Sequence, residues 1–157
     1  MNEIFQARTP VQITQSRTLF LEYAASLGFD LCFQGFEEEL KNLPGDYAPP
    51  EGRLLLAYLD GEAVGCAALH RQAEDIGEMK RLYVRPPARG HGIGLTLSEK
   101  IIAEARAIGY KKLRLDTVAH QMQAAVAMYR EQGFAEIPPY RVNPIEGALY
   151  MELDLTV

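Results

Sequence analysis

A chain of 157 residues, 48% hydrophobic and 24% charged, has the size and balance of one globular domain spanning 1–157, which excludes disordered and fibrous classes. Its formal net charge of -5 argues against a nucleic-acid binder, which carries a basic footprint. Two cysteines, Cys32 and Cys66, without CxxC spacing, and three scattered histidines offer no metal-ligand pattern.

The first residues, roughly 2 to 8, suit a short strand. From Thr9 to Leu27 apolar residues recur at helical spacing (Val11, Phe20, Leu21, Ala24, Leu27), and Gly28 closes the segment as a C-cap. Residues 36–43 read as a shorter helix whose acidic front, Glu37-Glu38-Glu39, suits the positive helix N-terminus. "LPGDYAPPEG" (43–52) is a loop by its prolines and glycines. The period then becomes that of strands. "RLLLAYL" and "AVGCAAL" flank Asp60-Gly61-Glu62, a hairpin signal, and "IGEMKRLYV" (76–84) makes a third strand.

"RPPARGHGIG" (85–94) follows, then an amphipathic helix with Ile93, Leu97, Ile101, Ala105 and Ile108 on one face. Gly109 ends it. "KKLRLDTV" alternates as a strand, "QAAVAMYREQ" is a helix ending before Gly133, and two strands near 134–137 and 147–155 flank the turn-rich "PPYRVNP". The central strand-loop-helix-strand unit calls for a right-handed crossover between parallel strands, whereas the hairpins are antiparallel. The expected α/β architecture is a mixed, mostly antiparallel central sheet with helices on both faces.

The glycine-rich loop joins a strand to a helix N-terminus, where amides lack intrahelical partners and the helix dipole is positive. A phosphate fits such a place. Glycines at 90, 92 and 94 let backbone come close to a ligand, and Arg89 adds a fixed positive charge. With Lys80, Arg81, Arg85 and His91 nearby, a small anionic ligand is expected. Two familiar phosphate loops are excluded. No Gly-Lys-Ser or Gly-Lys-Thr occurs, and counting GxGxxG from Gly90 puts Leu95 where the third glycine belongs.

"VRPPARGHGIGLTL" resembles the acetyl-CoA-binding motif of the GNAT superfamily of N-acetyltransferases, Arg/Gln-x-x-Gly-x-Gly/Ala, read here as Arg89-Gly90-His91-Gly92-Ile93-Gly94. The likeness extends back into "EMKRLYV" and on to "AAVAMYREQGF", which resembles the family's later helix; the first 50 residues match only in pattern. The resemblance implies a GNAT-like acyl-CoA N-acyltransferase fold, with acetyl-CoA as co-substrate and no metal. It implies that the amides of residues 90–94 hold the pyrophosphate, assisted by Arg89 and Thr96. The backbone of Leu82, Tyr83 and Val84 would bond the pantetheine arm, and that strand would splay from "KKLRLDTV" to admit the thioester.

Acetyl transfer needs a neutral amine, a polarised carbonyl and a protonated leaving thiolate. By the resemblance Tyr129, four residues after Ala125, is the general acid, and Glu78 is a carboxylate that deprotonates the amine, directly or through water. Lys80 and Arg81 lie in a covered strand, where an unpaired charge is costly. They either hold an acceptor carboxylate, pair with Glu78, Asp75 or Asp116, or place a charge at the exposed end of the strand. Tyr47, Tyr140 and Asn143 are candidates for the acceptor wall. One departure is Met122, where family members often carry an asparagine contacting the cofactor; His120, Gln121 or Gln123 are the available substitutes. Cys66 among alanines reads as core.

The expected activity is acetyl transfer from acetyl-CoA to a primary amine of a small molecule, such as an amino acid or related amine, by direct attack in a ternary complex. Two alternatives stand beside it: a non-catalytic acyl-CoA sensor, which the presence of both Tyr129 and Glu78 disfavours, and an enzyme acting on a protein or peptide amine. A homodimer is compatible with the family. No apolar run reaches membrane-spanning length, and Met1-Asn2-Glu3-Ile4 has no basic, apolar leader, so no membrane partner and a cytoplasmic location are expected.

Overall fold

The structure, a computed structural model, describes residues 2–28, 35–142 and 145–157. In chain order the elements are strand β1 (Asn2–Gln6), helices α1 (Pro10–Leu27) and α2 (Phe36–Lys41), and strands β2 (Arg53–Leu59), β3 (Glu62–Ala73) and β4 (Ile76–Val84). Helix α3 (Ile93–Ile108), strand β5 (Lys112–Val118), helix α4 (Gln123–Glu131) and strands β6 (Ala135–Ile137) and β7 (Ala148–Asp154) follow. The strands form one sheet in the order β1-β2-β3-β4-β5-β7-β6. Only β4 and β5 are parallel, and α3 is the crossover between them. The last strand inserts between β5 and β6, a threading that the order of elements alone does not reveal.

Local chemistry accounts for the element ends. Thr9 caps α1: its hydroxyl accepts from the Gln12 amide, and the Gln12 side chain accepts from the Thr9 amide, each at 3.1 Å. Pro10 occupies the first helical position, where its missing N–H costs nothing. Gly28 ends the helix in the left-handed region, φ 73°.

The inward face of α1 differs from the expected stripe. Ser16, Leu19, Phe20 and Leu27 are buried, whereas Val11 is 67% and Leu21 51% exposed. The buried set follows the three-to-four-residue step from Ser16, a polar residue whose hydroxyl is satisfied by the Gln12 carbonyl at 2.9 Å. Hydrophobicity alone hid that step.

Both faces of the sheet are covered, so β2 is apolar nearly throughout. Leu54 and Leu56 face α1 and α2, packing with Phe20, Phe36 and Tyr47. Leu55 and Ala57 face the other way, toward Leu97 and Ile101 of α3 and Leu113 and Met151. Each fully buried Leu or Ile contributes about 1.5–3 kcal/mol, so these two layers are the main source of stability.

Candidate active site

The parallel pairing of β4 with β5 covers only Ile76↔Lys112, Gly77↔Leu113 and Glu78↔Arg114. Beyond Glu78 the strands separate. On its other side β4 stays paired to β3, but with a bulge: Lys80 opposes Ala68 and Tyr83 opposes Cys66, leaving Arg81 and Leu82 against Ala67. Arg81 takes the left-handed conformation there, φ 62°. That conformation costs a non-glycine residue about 1–2 kcal/mol. Two contacts hold it. The Cys66 thiol donates to the Arg81 carbonyl at 3.2 Å, and the guanidinium grips Glu39 of α2 through Nε and Nη2, both at 2.9 Å, over the Phe36 ring. The bidentate, charge-assisted geometry fixes the orientation of the Arg81 side chain above this strained backbone.

The bulge and the divergence open a cleft of about 710 Å³, a size ordinary for a ligand site. One wall is β4 from Met79 to Val84; the other is β5 from Leu115 to Val118, with Ala125 and Tyr129 of α4. Leu82, Tyr83 and Val84 line this cleft, on the side of β4 that pairs with no strand beyond Glu78.

At one end of this wall Pro86–Ala88 makes a single tight helical turn and Arg89 is extended. Gly90 and Gly92 have φ of 87° and 74°. A Cβ at either would meet nothing within 4 Å, so it is the backbone conformation, not crowding, that calls for glycine. Gly94 has a helical backbone and open surroundings apart from Val84 at 3.7 Å. Among the described residues no side chain caps α3. The first-turn amides, including that of the buried Ile93, are thus left to a ligand or water. His91 is exposed. Arg89 lines the cleft and donates through Nε to the Val84 carbonyl at 3.0 Å. Thr96 donates to the Gly92 carbonyl at 2.9 Å, bracing the loop.

Tyr129 is 6% exposed, beside Phe134 in the core and on the cleft wall. Burial pushes its phenol above the usual range, so it is protonated at neutral pH. Met122 lies at the start of α4, and its Sδ accepts from the Thr117 hydroxyl at 2.9 Å. A thioether gives no hydrogen-bond donor here, but Gln121 and Gln123 on either side both line the cleft.

Glu78 is fully buried and heavily bound. Tyr140 donates to Oε2 at 2.5 Å, His70 Nε2 to Oε1 at 2.8 Å, and Arg141 Nη2 and Nη1 reach the two oxygens at 2.8 and 2.7 Å. Burial raises its pKa, but the bonds from His70 and Arg141 and the field of Lys80 outweigh this and hold it well below the usual carboxylate range. Glu78 lines neither the cleft nor the smaller cavity beside it. Tyr140 faces Glu78 rather than the cleft. Arg81 pairs with Glu39, not with the expected Glu78, Asp75 or Asp116. Tyr47 is 4% exposed, packs edge-on to Phe20 and His70, and borders the smaller cavity. Asn143 and Cys32 lie outside the described residues.

Two cleft residues escaped sequence reasoning. Tyr23 of α1 reads as core, and no local signal marks it. Asp116, joined to Arg141 at 3.3 Å, is a carboxylate at the C-terminal end of a covered parallel strand, where α/β folds bind ligands; that position was the available clue.

The model of the acetyltransferase (GNAT) family matches residues 18–134. An uncharacterized N-acetyltransferase of Schizosaccharomyces pombe is 37% identical over 155 residues, 98% of this chain and 94% of that protein. An IAA acetyltransferase of Azospirillum brasilense is 43% identical over 112 residues, 69% of this chain and 71% of that protein. A GNAT-family acetyltransferase structure from Staphylococcus aureus superposes with a TM-score of 0.82 over 99% of this chain and 100% of its own, at 19% identity, a likeness of fold alone.

Proposed function

This chain belongs to the GNAT family of acetyltransferases and is an acetyl-CoA-dependent N-acetyltransferase; on that premise we propose that it acetylates a primary amine of a small molecule by direct attack in a ternary complex. The observation that carries this reading is the separation of β4 from β5 beyond Glu78, which makes a cleft running to an uncapped helix N-terminus.

The residues present suit acetyl-CoA. The amides at 90–94 offer donors and a positive dipole for its pyrophosphate, and Arg89 adds charge. The free edge of β4 at Leu82–Val84 offers backbone partners for the amide groups of the pantetheine arm. Tyr129, on the facing wall and protonated, suits donation of a proton to the departing thiolate. Glu78, the base expected from the sequence, is enclosed by Tyr140, Arg141 and His70. We assign it the anchoring of the 140–141 connection, with the amine's proton going elsewhere. A two-step route through an acyl-cysteine finds no support in Cys66, which is buried and tied to the Arg81 carbonyl.

Calorimetric titration with acetyl-CoA, followed by a thiol-release assay against a panel of amines, tests the proposal. Binding with amine-dependent thiol release is expected. Binding without release from any amine would overturn the catalytic reading, and no binding would overturn the placement of the phosphate site.

A further inference from the structure

Beside the cleft lies a second cavity of about 340 Å³, bordered by α2, the turn at Gly45–Tyr47 and His70 of β3. Among the described residues, Lys80 is the only one that lines both cavities. The second cavity carries three carboxylates, Glu38, Glu39 and Asp46. Of these Glu39 is paired with Arg81 and Glu38 with the exposed Lys41, and Asp46 adds a further negative charge toward an arriving ammonium. With the thioester in the cleft and the amine in the second cavity, nitrogen and carbonyl carbon would meet at the residue that the two cavities share.

Lys80 occupies that junction. Among the described residues its side chain makes no hydrogen bond or ion pair, although Glu78 and Arg81 lie beside it on its own strand and both are firmly paired. Lys80 is half-buried, so its ammonium is partly stripped of water with no counter-charge bonded to it, which favours the neutral amine more than in an exposed lysine.

Resting on the transferase reading above, we propose that the second cavity admits the acceptor amine and that neutral Lys80 is the base that takes its proton. The step balances. The acceptor ammonium passes a proton to the Lys80 amine and becomes the free nucleophile. Its lone pair forms the C–N bond and the C–S bond breaks. The thiolate receives a proton from Tyr129, which is restored by the proton the nitrogen sheds on becoming an amide. Lys80 returns its proton to solvent through the second cavity.

Surrounding charge agrees with this role. Burial and Arg81 lower the Lys80 pKa, with Arg141 adding to them, against the opposing pull of Glu78 and Glu39, to about 8. Asp116, Arg89, Tyr23, Tyr83 and Tyr129 around the cleft and His70, Tyr47, Glu38 and Asp46 around the second cavity are the other charged and titratable groups lining the two cavities. The base form therefore accumulates as pH rises through about 8, and kcat/KM rises with it.

The test compares wild type with Lys80→Met and Lys80→Arg on two acceptors: an ordinary alkylamine, and a weakly basic amine already neutral at neutral pH. Arginine keeps the charge but does not deprotonate. Both variants are expected to lose about 10²-fold in kcat on the alkylamine, the usual contribution of a positioned base. They should lose the rising limb of the pH profile, approach wild type on the weakly basic amine, and keep their acetyl-CoA affinity. Wild-type rate in Lys80→Arg, or equal losses on both amines, would overturn the proposal. Pulse labelling with acetic anhydride, read by mass spectrometry, gives a second measurement on the wild-type protein. A Lys80 midpoint near 8 is expected; reactivity with the pH dependence of the surface lysines would overturn it. Failure of the transferase reading is distinct, because it shows as wild-type protein without acetyl-CoA binding or amine-dependent thiol release.

Discussion

The two sides of the cleft are built from different materials. The side formed by β4, the glycine loop and α3 offers backbone: a free strand edge, positive-φ glycines and an uncapped helix start. The side formed by α2, the end of β3 and the 140–141 connection offers side chains bound to one another across the chain. Arg81 grips Glu39, and Arg141 and Tyr140 enclose Glu78. Backbone recognition tolerates much sequence change but demands a local pattern, whereas paired side chains specify a site from scattered positions. Damage to the first side should weaken ligand binding and leave the fold intact. Damage to the second should reach stability itself.

Glu78→Gln gives the largest expected effect, a loss of about 3 kcal/mol of unfolding free energy, the low end for breaking a buried pair, since it strips charge from a buried carboxylate and leaves Arg141 with Asp116 as its remaining counter-charge; urea denaturation measures it. Folded Glu78 holds its proton less tightly than in the unfolded chain. Its contribution is therefore present above the ordinary glutamate value of 4.5 and is lost as pH falls below it. The gap between wild type and variant should narrow in acid, and a gap constant with pH would refute the pairing.

Tyr129→Phe should lower kcat by about 10²-fold with acetyl-CoA affinity unchanged, as steady-state kinetics would show. An undiminished rate would remove the assigned acid. On the backbone side, Gly92→Val should raise the acetyl-CoA dissociation constant by about tenfold, because a β-branched residue resists the φ of 74° and re-aims the amides behind it. Gly94→Ala is the matched control, with helical φ and room for a methyl group, and calorimetry should find it near wild type. Arg89→Ala should have the smallest effect, a few-fold weaker affinity with a shallower salt dependence, the signature of an exposed charge near a phosphate.

This contrast also explains what was legible in the sequence. The strand-loop-helix unit follows from periodicity and from glycines at fixed offsets, so its boundaries and cleft-facing residues could be read locally. The pairing of Arg81 with Glu39 spans 42 positions and that of Glu78 with Arg141 spans 63, and no local pattern encodes either. The β4 bulge was equally hidden, since Arg81 bears no mark of a left-handed backbone and "EMKRLYV" reads as a regular strand. Without the bulge and its partners, Lys80 and Arg81 were interchangeable on paper. In the fold they part, Arg81 tied to Glu39 and Lys80 facing two cavities. Tyr140, expected on the acceptor wall, donates its hydroxyl to Glu78, a partner 62 positions away that no local pattern marks.

The early end of the β4–β5 ladder has a thermodynamic consequence. A seven-stranded sheet interrupted in its middle is incomplete, and a ligand that bonds the free edge of β4 acts as the absent length of strand. Folding and co-substrate binding are then linked equilibria: acetyl-CoA at one hundred times its dissociation constant adds about 2.7 kcal/mol to the free energy of unfolding. The melting temperature of this protein becomes a gauge of how much acetyl-CoA surrounds it, and slowed amide exchange in β4 and β5 should mark where the sheet has been mended.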